Sequence, residues 1–292
     1  MPDHAVCWLN GRILPAAEAT VSVLDHGLLY GDGVFEGIRY YRRAAFRLME
    51  HLERLALSAQ AIALALPYTP EELADAVRET IAASGSKDGY LRVVVTRGAG
   101  PMGLDPRGCR QPTVFIIALQ LSLTGASQRR DGVRAIIAAT RRLPPDGLDP
   151  RIKSLNYLNH VLARIEANNA GADEAILLNA AGRVAEGTAD NVFVVRKGRI
   201  LTPPAVEGAL EGVTRGVALE LARAAGIETV ESPLAPYDLY TADECFLTGT
   251  AMELVPVAEI DGRRMAVCPG PVYRELERRF RELTQGEGGE SR

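Results

Sequence analysis

Lysine is scarce in this sequence. Of 33 basic residues only three are lysine, Lys87, Lys153 and Lys197, which leaves 30 arginines. Any chemistry that requires an amine nucleophile therefore has three candidates. Cysteine is sparse too: Cys7, Cys109, Cys245 and Cys268 are scattered, with no C-x-x-C pair and no histidine cluster beside them. That pattern argues against a metal site or a disulfide framework and for a reducing cytoplasm. No apolar run approaches the roughly 18 residues of a membrane span. Met1-Pro2-Asp3-His4 opens no basic segment followed by an apolar one, so neither a membrane partner nor a signal peptide is expected. The net charge of −4 argues against nucleic acid as the main partner.

What remains is ordinary globular material: 292 residues, 47% apolar and 24% charged, enough for two domains and a sizeable core. Asn10-Gly11 between Cys7-Trp8-Leu9 and Ile13-Leu14 predicts a hairpin. Leu52, Leu55, Ala59, Ile62 and Leu66 recur at helical spacing, predicting a helix from Glu50 to Leu66 stopped by Pro67. A second helix is expected from Pro70 to Ala83, closed by Gly85. Tyr90–Thr96 and Thr113–Leu121 read as strands, with a Gly- and Pro-rich loop over Gly98–Pro112 between them. The polar run Thr124-Gly125-Ala126-Ser127 marks a junction. This divides the chain into a smaller domain over 1–121, a linker over 122–132 and a larger domain over 133–292.

Beyond the junction, Val133–Ala139 reads as a strand, and Leu155, Leu158, Leu162 and Ile165 define a helix ending near Gly171. Short strands are expected at Ala175–Asn179, Arg183–Ala185, Asn191–Arg196 and Arg199–Leu201, and a helix at Thr214–Ala225. Strands mixed with helices without strict alternation predict an α+β architecture.

The three lysines differ in setting. Lys87 lies in the polar turn Ser84–Gly89, and Lys197 precedes Gly198 in a hairpin turn. Lys153, in Arg151-Ile152-Lys153-Ser154-Leu155-Asn156-Tyr157, stands between a Pro-rich loop and the mouth of an apolar helix, where desolvation lowers an amine's pKa. Three other pieces are bland singly. Glu186 precedes a glycine turn in Glu186-Gly187-Thr188-Ala189-Asp190-Asn191. Gly212-Val213-Thr214 opens a helix, an N-cap or a phosphate cradle. Thr248-Gly249-Thr250-Ala251 ends a strand.

Their order is not bland. Together with Asp25-His26-Gly27-Leu28-Leu29-Tyr30-Gly31-Asp32-Gly33-Val34-Phe35-Glu36-Gly37-Ile38-Arg39 and His51-Leu52-Glu53-Arg54-Leu55, it resembles the fold-type IV family of pyridoxal 5′-phosphate (PLP) enzymes. That family comprises branched-chain aminotransferases, D-amino-acid aminotransferases and aminodeoxychorismate lyases. The resemblance runs from about Val6 to Gly262. It implies a two-domain α+β enzyme with PLP in the cleft between domains and Lys153 as the Schiff-base lysine. Glu186 would partner the pyridine nitrogen. Arg54, the Gly212 turn with the Val213 and Thr214 amides, and Thr250 would hold the phosphate, with Tyr157 near the ring's phenolic oxygen. On the helical wheel Arg54 points away from the Leu52/Leu55/Ala59 stripe, toward either solvent or that cleft.

Within the family, Gly100-Pro101-Met102-Gly103-Leu104-Asp105-Pro106 is similar to the branched-chain loop, with Met102 and Leu104 where D-specific members carry an Arg-x-His carboxylate trap. Tyr90-Leu91-Arg92 matches the branched-chain Tyr-x-Arg. These matches imply transfer between an L-amino acid and 2-oxoglutarate. Tyr90 with the Thr250 and Ala251 amides would hold the α-carboxylate, and Arg92 glutamate's distal carboxylate. Phe35, with Tyr30 and Leu104 from a second subunit of a homodimer, would line the side-chain pocket. Thr96-Arg97-Gly98 and Ile152-Lys153-Ser154-Leu155-Asn156 are more like the D-specific enzymes, and the branched-chain pocket aromatics are missing after Leu119. A D-specific enzyme using Arg39 or Arg92 as its trap, a lyase, and a non-catalytic PLP-binding protein stay open at this point.

Overall fold

The computed structural model describes residues 5–120 and 126–286. Met1–His4, and Thr124 and Gly125 of the expected junction, lie outside the described residues. Two compact units emerge: residues 5–120 with 152–156 and 284–286, and residues 126–151 with 157–283.

The first unit contains β1 (Val6–Leu9), β2 (Arg12–Pro15), α1 (His26–Tyr30), β3 (Gly33–Tyr41), β4 (Ala44–Ala45), α2 (Leu48–Ala61), α3 (Pro70–Ser84), β5 (Gly89–Thr96) and β6 (Thr113–Leu119). Asn10 and Gly11 have φ of 45° and 87°, the consecutive left-handed residues that a tight hairpin turn requires. The strands form one antiparallel sheet in the order β2-β1-β6-β5-β3-β4. One face carries Val34, Ile38, Leu91 and Val93 into a core completed by Leu52 and Leu55 of α2 and Val77 and Ile81 of α3. Each such buried side chain is worth about 1.5–3 kcal/mol.

Local signals explain α3 well. Thr69 and Glu72 form a capping box, Pro70 occupies the first turn, and Gly85 ends the helix at φ 67°. The end of α2 differs from expectation: it stops at Ala61, five residues short of Leu66. Ala63 turns into the left-handed region (φ 51°), its N–H and that of Leu64 close on the carbonyls of Gln60 and Ala59, and Arg97 braces the turn. Its guanidinium donates to the carbonyls of Ile62 (2.8 Å) and Ala63 (2.7 Å), satisfying helix-end acceptors, and it also grips Asp32 at 2.9 and 3.0 Å.

The second unit contains α4 (Ala126–Asp131), β7 (Val133–Ile137), α5 (Leu158–Asn169), β8 (Glu174–Leu178), β9 (Val184–Glu186), β10 (Asn191–Arg196), β11 (Arg199–Thr202), α6 (Val213–Ala224), β12 (Thr229–Glu231), α7 (Pro236–Tyr240), β13 (Glu244–Gly249), β14 (Glu253–Ile260) and β15 (Arg263–Arg264); α8 (Pro271–Gln285) starts within it. Nine strands make a mixed sheet, β12-β11-β10-β13-β14-β7-β8-β9 with β15 on β14. Its pairs are antiparallel except β11–β12, β14–β7 and β7–β8. The α+β expectation holds.

Helix α5 departs from the sequence-based expectation in two respects. It begins at Leu158, because Leu155 belongs to a segment laid against β3, its N–H donating to Gly33 O at 3.0 Å. The apolar stripe also faces outward: Leu158 is 70% exposed, and Leu162 and Ile165 are exposed too. The buried face is His160, Ala163 and Ala167, whose alanines pack with Ala175 and Leu177 of β8. Small side chains let the helix lie close to the strand. Among the described residues no helix is long and apolar enough to cross a membrane.

Candidate active site

Lys153 is held in place by its backbone. Its N–H donates to Ser58 Oγ of α2 (3.2 Å), its carbonyl accepts from the Phe35 N–H of β3 (3.0 Å), and the next residue bridges to Val34. It stands on an extended segment rather than at the mouth of α5. It is half-buried, whereas Lys87 and Lys197 are exposed.

Its amine lies 4.9 Å from the centroid of the Phe35 ring. Phe35 opens a row on the sheet face opposite the helices. Phe35, Gly37 and Arg39 of β3 pair with Val94, Arg92 and Tyr90 of β5, so all six residues share that face. The Arg92 guanidinium carbon sits 4.3 Å from the Phe35 ring centroid and 5.7 Å from that of Tyr90. Tyr90 crosses β3 at Gly37, where a Cβ would fall 2.0 Å from the Tyr90 hydroxyl. A glycine is required there. Arg39 stacks on Tyr41 at 5.6 Å. Lys153, Phe35, Arg39, Tyr90 and Arg92 are thus gathered on the first unit.

Arg54 resolves the helical-wheel question differently. His51, Arg54 and Ser58 form a second stripe on α2, and the Arg54 side chain is only 12% exposed. Its Nε and Nη2 donate to the two oxygens of Glu36 at 2.7 and 2.8 Å, and His51 Nδ1 donates to Glu36 Oε2 at 2.8 Å. Burial pushes the Glu36 carboxyl up, but Arg54 and His51 outweigh it and hold it well below the usual carboxylate range. Burial lowers the pKa of His51, against the pull of Glu36 and with help from the charges of Arg54 and Lys153.

In the second unit Glu186 ends β9, buried. Its Oε1 accepts from Arg142 Nε (2.7 Å) and His160 Nε2 (3.3 Å), and its Oε2 from the Leu210 N–H (2.8 Å). Burial raises its pKa, but the hydrogen bond from His160, the charge of Arg142 and the Leu210 amide bring the net shift down, so the carboxylate stays charged. Tyr157 caps α5 and stacks on His160 with ring centroids 4.4 Å apart. Two residues after Leu210, Gly212 is the N-cap of α6 and gives it no side-chain cap. A Cβ on Gly212 would meet Asn191 Oδ1 at 2.1 Å. The first-turn amides of Val213 and Thr214 are therefore donors without a side-chain cap. Thr250 and Ala251 follow the end of β13.

Tyr30 and the 98–112 loop make a separate group. The Gly103 N–H donates to the Tyr30 hydroxyl at 2.9 Å, and Leu104 is 82% exposed.

The family model for class IV amino-transferases matches residues 33–260. The chain belongs to the class IV amino-transferases. It is 52% identical over 278 residues to the putative branched-chain-amino-acid aminotransferase of Methanocaldococcus jannaschii, covering 94% of this chain and 95% of that one. It resembles the structure of the Thermoproteus uzoniensis branched-chain aminotransferase with norvaline at 42% identity and TM-score 0.91, covering 97% of this chain and 95% of the other. It also resembles the T.th. branched-chain amino acid aminotransferase complexed with N-(5′-phosphopyridoxyl)-L-glutamate, at 37% identity and TM-score 0.90 over 96% and 94% of the two chains.

Four polar partners in this class IV chain escape a reading of the sequence: Glu36 and His51 around Arg54, and Arg142 and His160 around Glu186. Glu36 stands inside the motif quoted above, and His51 is one turn before Arg54, a usable signal. His160 shares the small-residue face of α5 with Ala163 and Ala167. Arg142 carries none, because its partner lies 44 residues away.

Asp190, also in the Glu186 motif, is buried; burial, with the nearby charges of Glu174 and Glu186, pushes its carboxyl well above the ordinary range. A raised pKa means the folded state holds a proton that the unfolded chain releases. The stability tied to this group is complete below the unfolded value near ~3.9 and is lost as pH rises through the folded value, by about 1.4 kcal/mol per pH unit crossed. Asp190→Asn should therefore raise the melting temperature at pH 8 by several degrees, with the gain vanishing near pH 4. A variant less stable than wild type at pH 8 would contradict the raised pKa of Asp190.

Proposed function

We propose that this chain transfers amino groups between an L-amino acid with an apolar, branched side chain and 2-oxoglutarate, using PLP. The observation carrying this reading is the shared sheet face on which the Lys153 amine, Phe35, Tyr90 and Arg92 meet. The names of the similar proteins, and the phosphopyridoxyl-L-glutamate held by one of them, support it.

The donor set fits the cofactor. The uncapped first turn of α6 suits a phosphate, since helix N-termini present amide donors and a positive dipole end to anions. A buried carboxylate kept ionised suits a protonated pyridine nitrogen. PLP supplies, when bound, an aldehyde that condenses with amines and a ring that accepts the electrons left at Cα. Lys153 would hold the aldehyde end of the cofactor through its amine and would carry the Cα proton. Glu186 holds the proton on the ring nitrogen, while Arg142, His160 and the Leu210 amide hold Glu186. Arg54, Val213, Thr214 and Thr250 would bind the phosphate, and Tyr157 would orient the ring. Tyr90 with Thr250 and Ala251 binds the α-carboxylate. Arg92, a planar fork of donors, binds the distal carboxylate of glutamate. Phe35 presents an apolar wall to the donor's side chain.

The D-like Thr96-Arg97-Gly98 run does not weigh against this reading, because Arg97 is engaged with Asp32 and the end of α2. Arg39 remains the alternative trap. A panel decides: the PLP-loaded enzyme is mixed with L- and D-leucine, L- and D-alanine, and L- and D-glutamate, and the change in cofactor absorbance is followed. The L-enantiomers should react faster, with L-leucine and L-glutamate both accepted. Faster reaction of the D-enantiomers would overturn the assignment and point to Arg39.

A homodimer is part of the proposal. Met102 and Leu104 on the long loop, and Leu158, Val161, Leu162 and Ile165 on α5, are apolar and exposed in the single chain. Covering such surface with a second copy removes it from water, and Tyr30 and Leu104 would then serve the partner's pocket. Light scattering at assay dilution should give at least the dimer mass; a fully active monomer would refute the shared pocket. The four unpaired cysteines fit a reducing cytoplasm.

A further inference from the structure

We propose that Glu36 is the positioning residue of the phosphate-binding arm, setting the plane of the Arg54 guanidinium, and that His51 in turn fixes Glu36. The inference rests on the reading that Arg54 contacts the cofactor phosphate. Glu36 is fully buried on the helix-facing side of β3, opposite the Phe35 row. Its two oxygens take Nε and Nη2 of Arg54 at 2.7 and 2.8 Å, a fork-on-fork pair. Two parallel bonds fix both the position and the tilt of a planar cation, which one bond cannot do. His51 Nδ1, from one turn earlier on α2, donates to Oε2 at 2.8 Å, and the Gly37 N–H reaches the same oxygen at 3.3 Å. The carboxylate thus has little freedom of its own to move.

A long arginine on the polar stripe of a helix otherwise samples many rotamers, and ordering it on binding carries an entropic cost. Here that ordering is done by the fold before a phosphate arrives. The position of Glu36 within β3 explains why an acid stands between Phe35 and Gly37, which belong to the opposite face. Phe35 meets the Lys153 amine on one side of the strand, and Glu36 aims the arginine from the other. A one-residue slip of β3 would exchange these roles.

A buried pair that only stabilises the fold would look the same at rest, so the test separates the two by ligand. The full-length chain, cleared of cofactor, is titrated with PLP and with pyridoxal, which lacks the phosphate. Arg54→Ala should weaken PLP binding and leave pyridoxal binding nearly unchanged; the absence of that selectivity would overturn the Arg54 reading itself. Glu36→Gln keeps the shape and removes the charge, and should weaken PLP relative to pyridoxal by about ten- to a hundredfold, the worth of a hydrogen bond to a charged group. In an Arg54→Ala background the same Glu36→Gln change should leave the PLP-to-pyridoxal ratio unaltered. If Arg54→Ala is selective for PLP while Glu36→Gln is not, or if the Glu36→Gln effect persists without Arg54, the positioning role is overturned and the Arg54 reading stands. Should Glu36→Gln fail to fold, Glu36→Asp keeps the charge but withdraws it by one methylene, and the same ratio decides.

Discussion

Lys153→Ala is expected to fold normally, to bind PLP without a covalent link and to lose transamination by about 10⁴-fold or more. The magnitude follows from two roles lost together, covalent capture of the aldehyde and transfer of the Cα proton, the second alone being worth about 10²–10⁴. Folding is spared for a structural reason. The segment is held through backbone atoms, the Lys153 N–H on Ser58 Oγ and its carbonyl on the Phe35 N–H, neither of which depends on the side chain. One contact of the side chain is the amine near the Phe35 ring, worth about 0.5–2 kcal/mol. Two measurements check the assignment. Borohydride treatment of the PLP-loaded enzyme followed by peptide mapping should place the pyridoxyl group on Lys153. Added methylamine should restore part of the variant's rate by supplying a free base. Recovery of the label on Lys87 or Lys197, both exposed turn residues, would sink the site assignment.

Much of this candidate site is proposed from the sequence because its marker is scarce. With three lysines in the chain, the motif around Lys153 has little competition. Hairpin and cap signals are also local: Asn10-Gly11, the Thr69/Glu72 box and Gly85 specify their turns within a few residues, and the structure follows them. What fails is non-local. No strand is expected over Gly33–Tyr41 from the sequence, because β3 is buried on both faces almost throughout, which erases the alternation that marks a half-exposed strand. Nor is a helix expected over Pro271–Gln285, which forms α8.

The turn that ends α2 is braced by Arg97, 34 residues downstream of the Ala63 carbonyl it holds, a contact no helical periodicity contains. On α5 the periodicity is real but its inference is reversed. An apolar stripe at helical spacing shows that a helix forms, not which partner covers it, and here the alanine face is the one packed on the unit's own strand. The polar supports of the two charged residues are invisible for the same reason. Glu36 reaches Arg54 across 18 positions and Arg142 reaches Glu186 across 44, so only the folded sheet brings them together.

Glu186→Gln tests the second of those supports. The variant should retain PLP but slow Cα proton removal by about 10²- to 10³-fold, the usual effect of deleting one preorganised electrostatic group from a water-poor site. The amide preserves the shape and can still accept from Leu210, but it cannot keep a ring nitrogen protonated. It also leaves Arg142, itself buried, facing a neutral group in place of a carboxylate at 2.7 Å. Breaking a buried pair from one side costs about 3–5 kcal/mol, so the melting temperature should fall as well. Rates must accordingly be compared at temperatures where both proteins are folded.

The pH dependence offers an independent check with a fixed sign. The folded pKa of Glu186 lies below its unfolded value, so its stabilising contribution is complete above the unfolded pKa near ~4.3 and disappears as pH falls through the folded one. The stability gap between wild type and Glu186→Gln should hold steady from pH 8 to 5 and narrow on further acidification. A gap that widens in acid would mean Glu186 is protonated in the fold. Near-wild-type turnover in a folded Glu186→Gln enzyme would remove it from the cofactor nitrogen altogether and leave the cluster of Arg142, His160 and Glu186 as a structural knot.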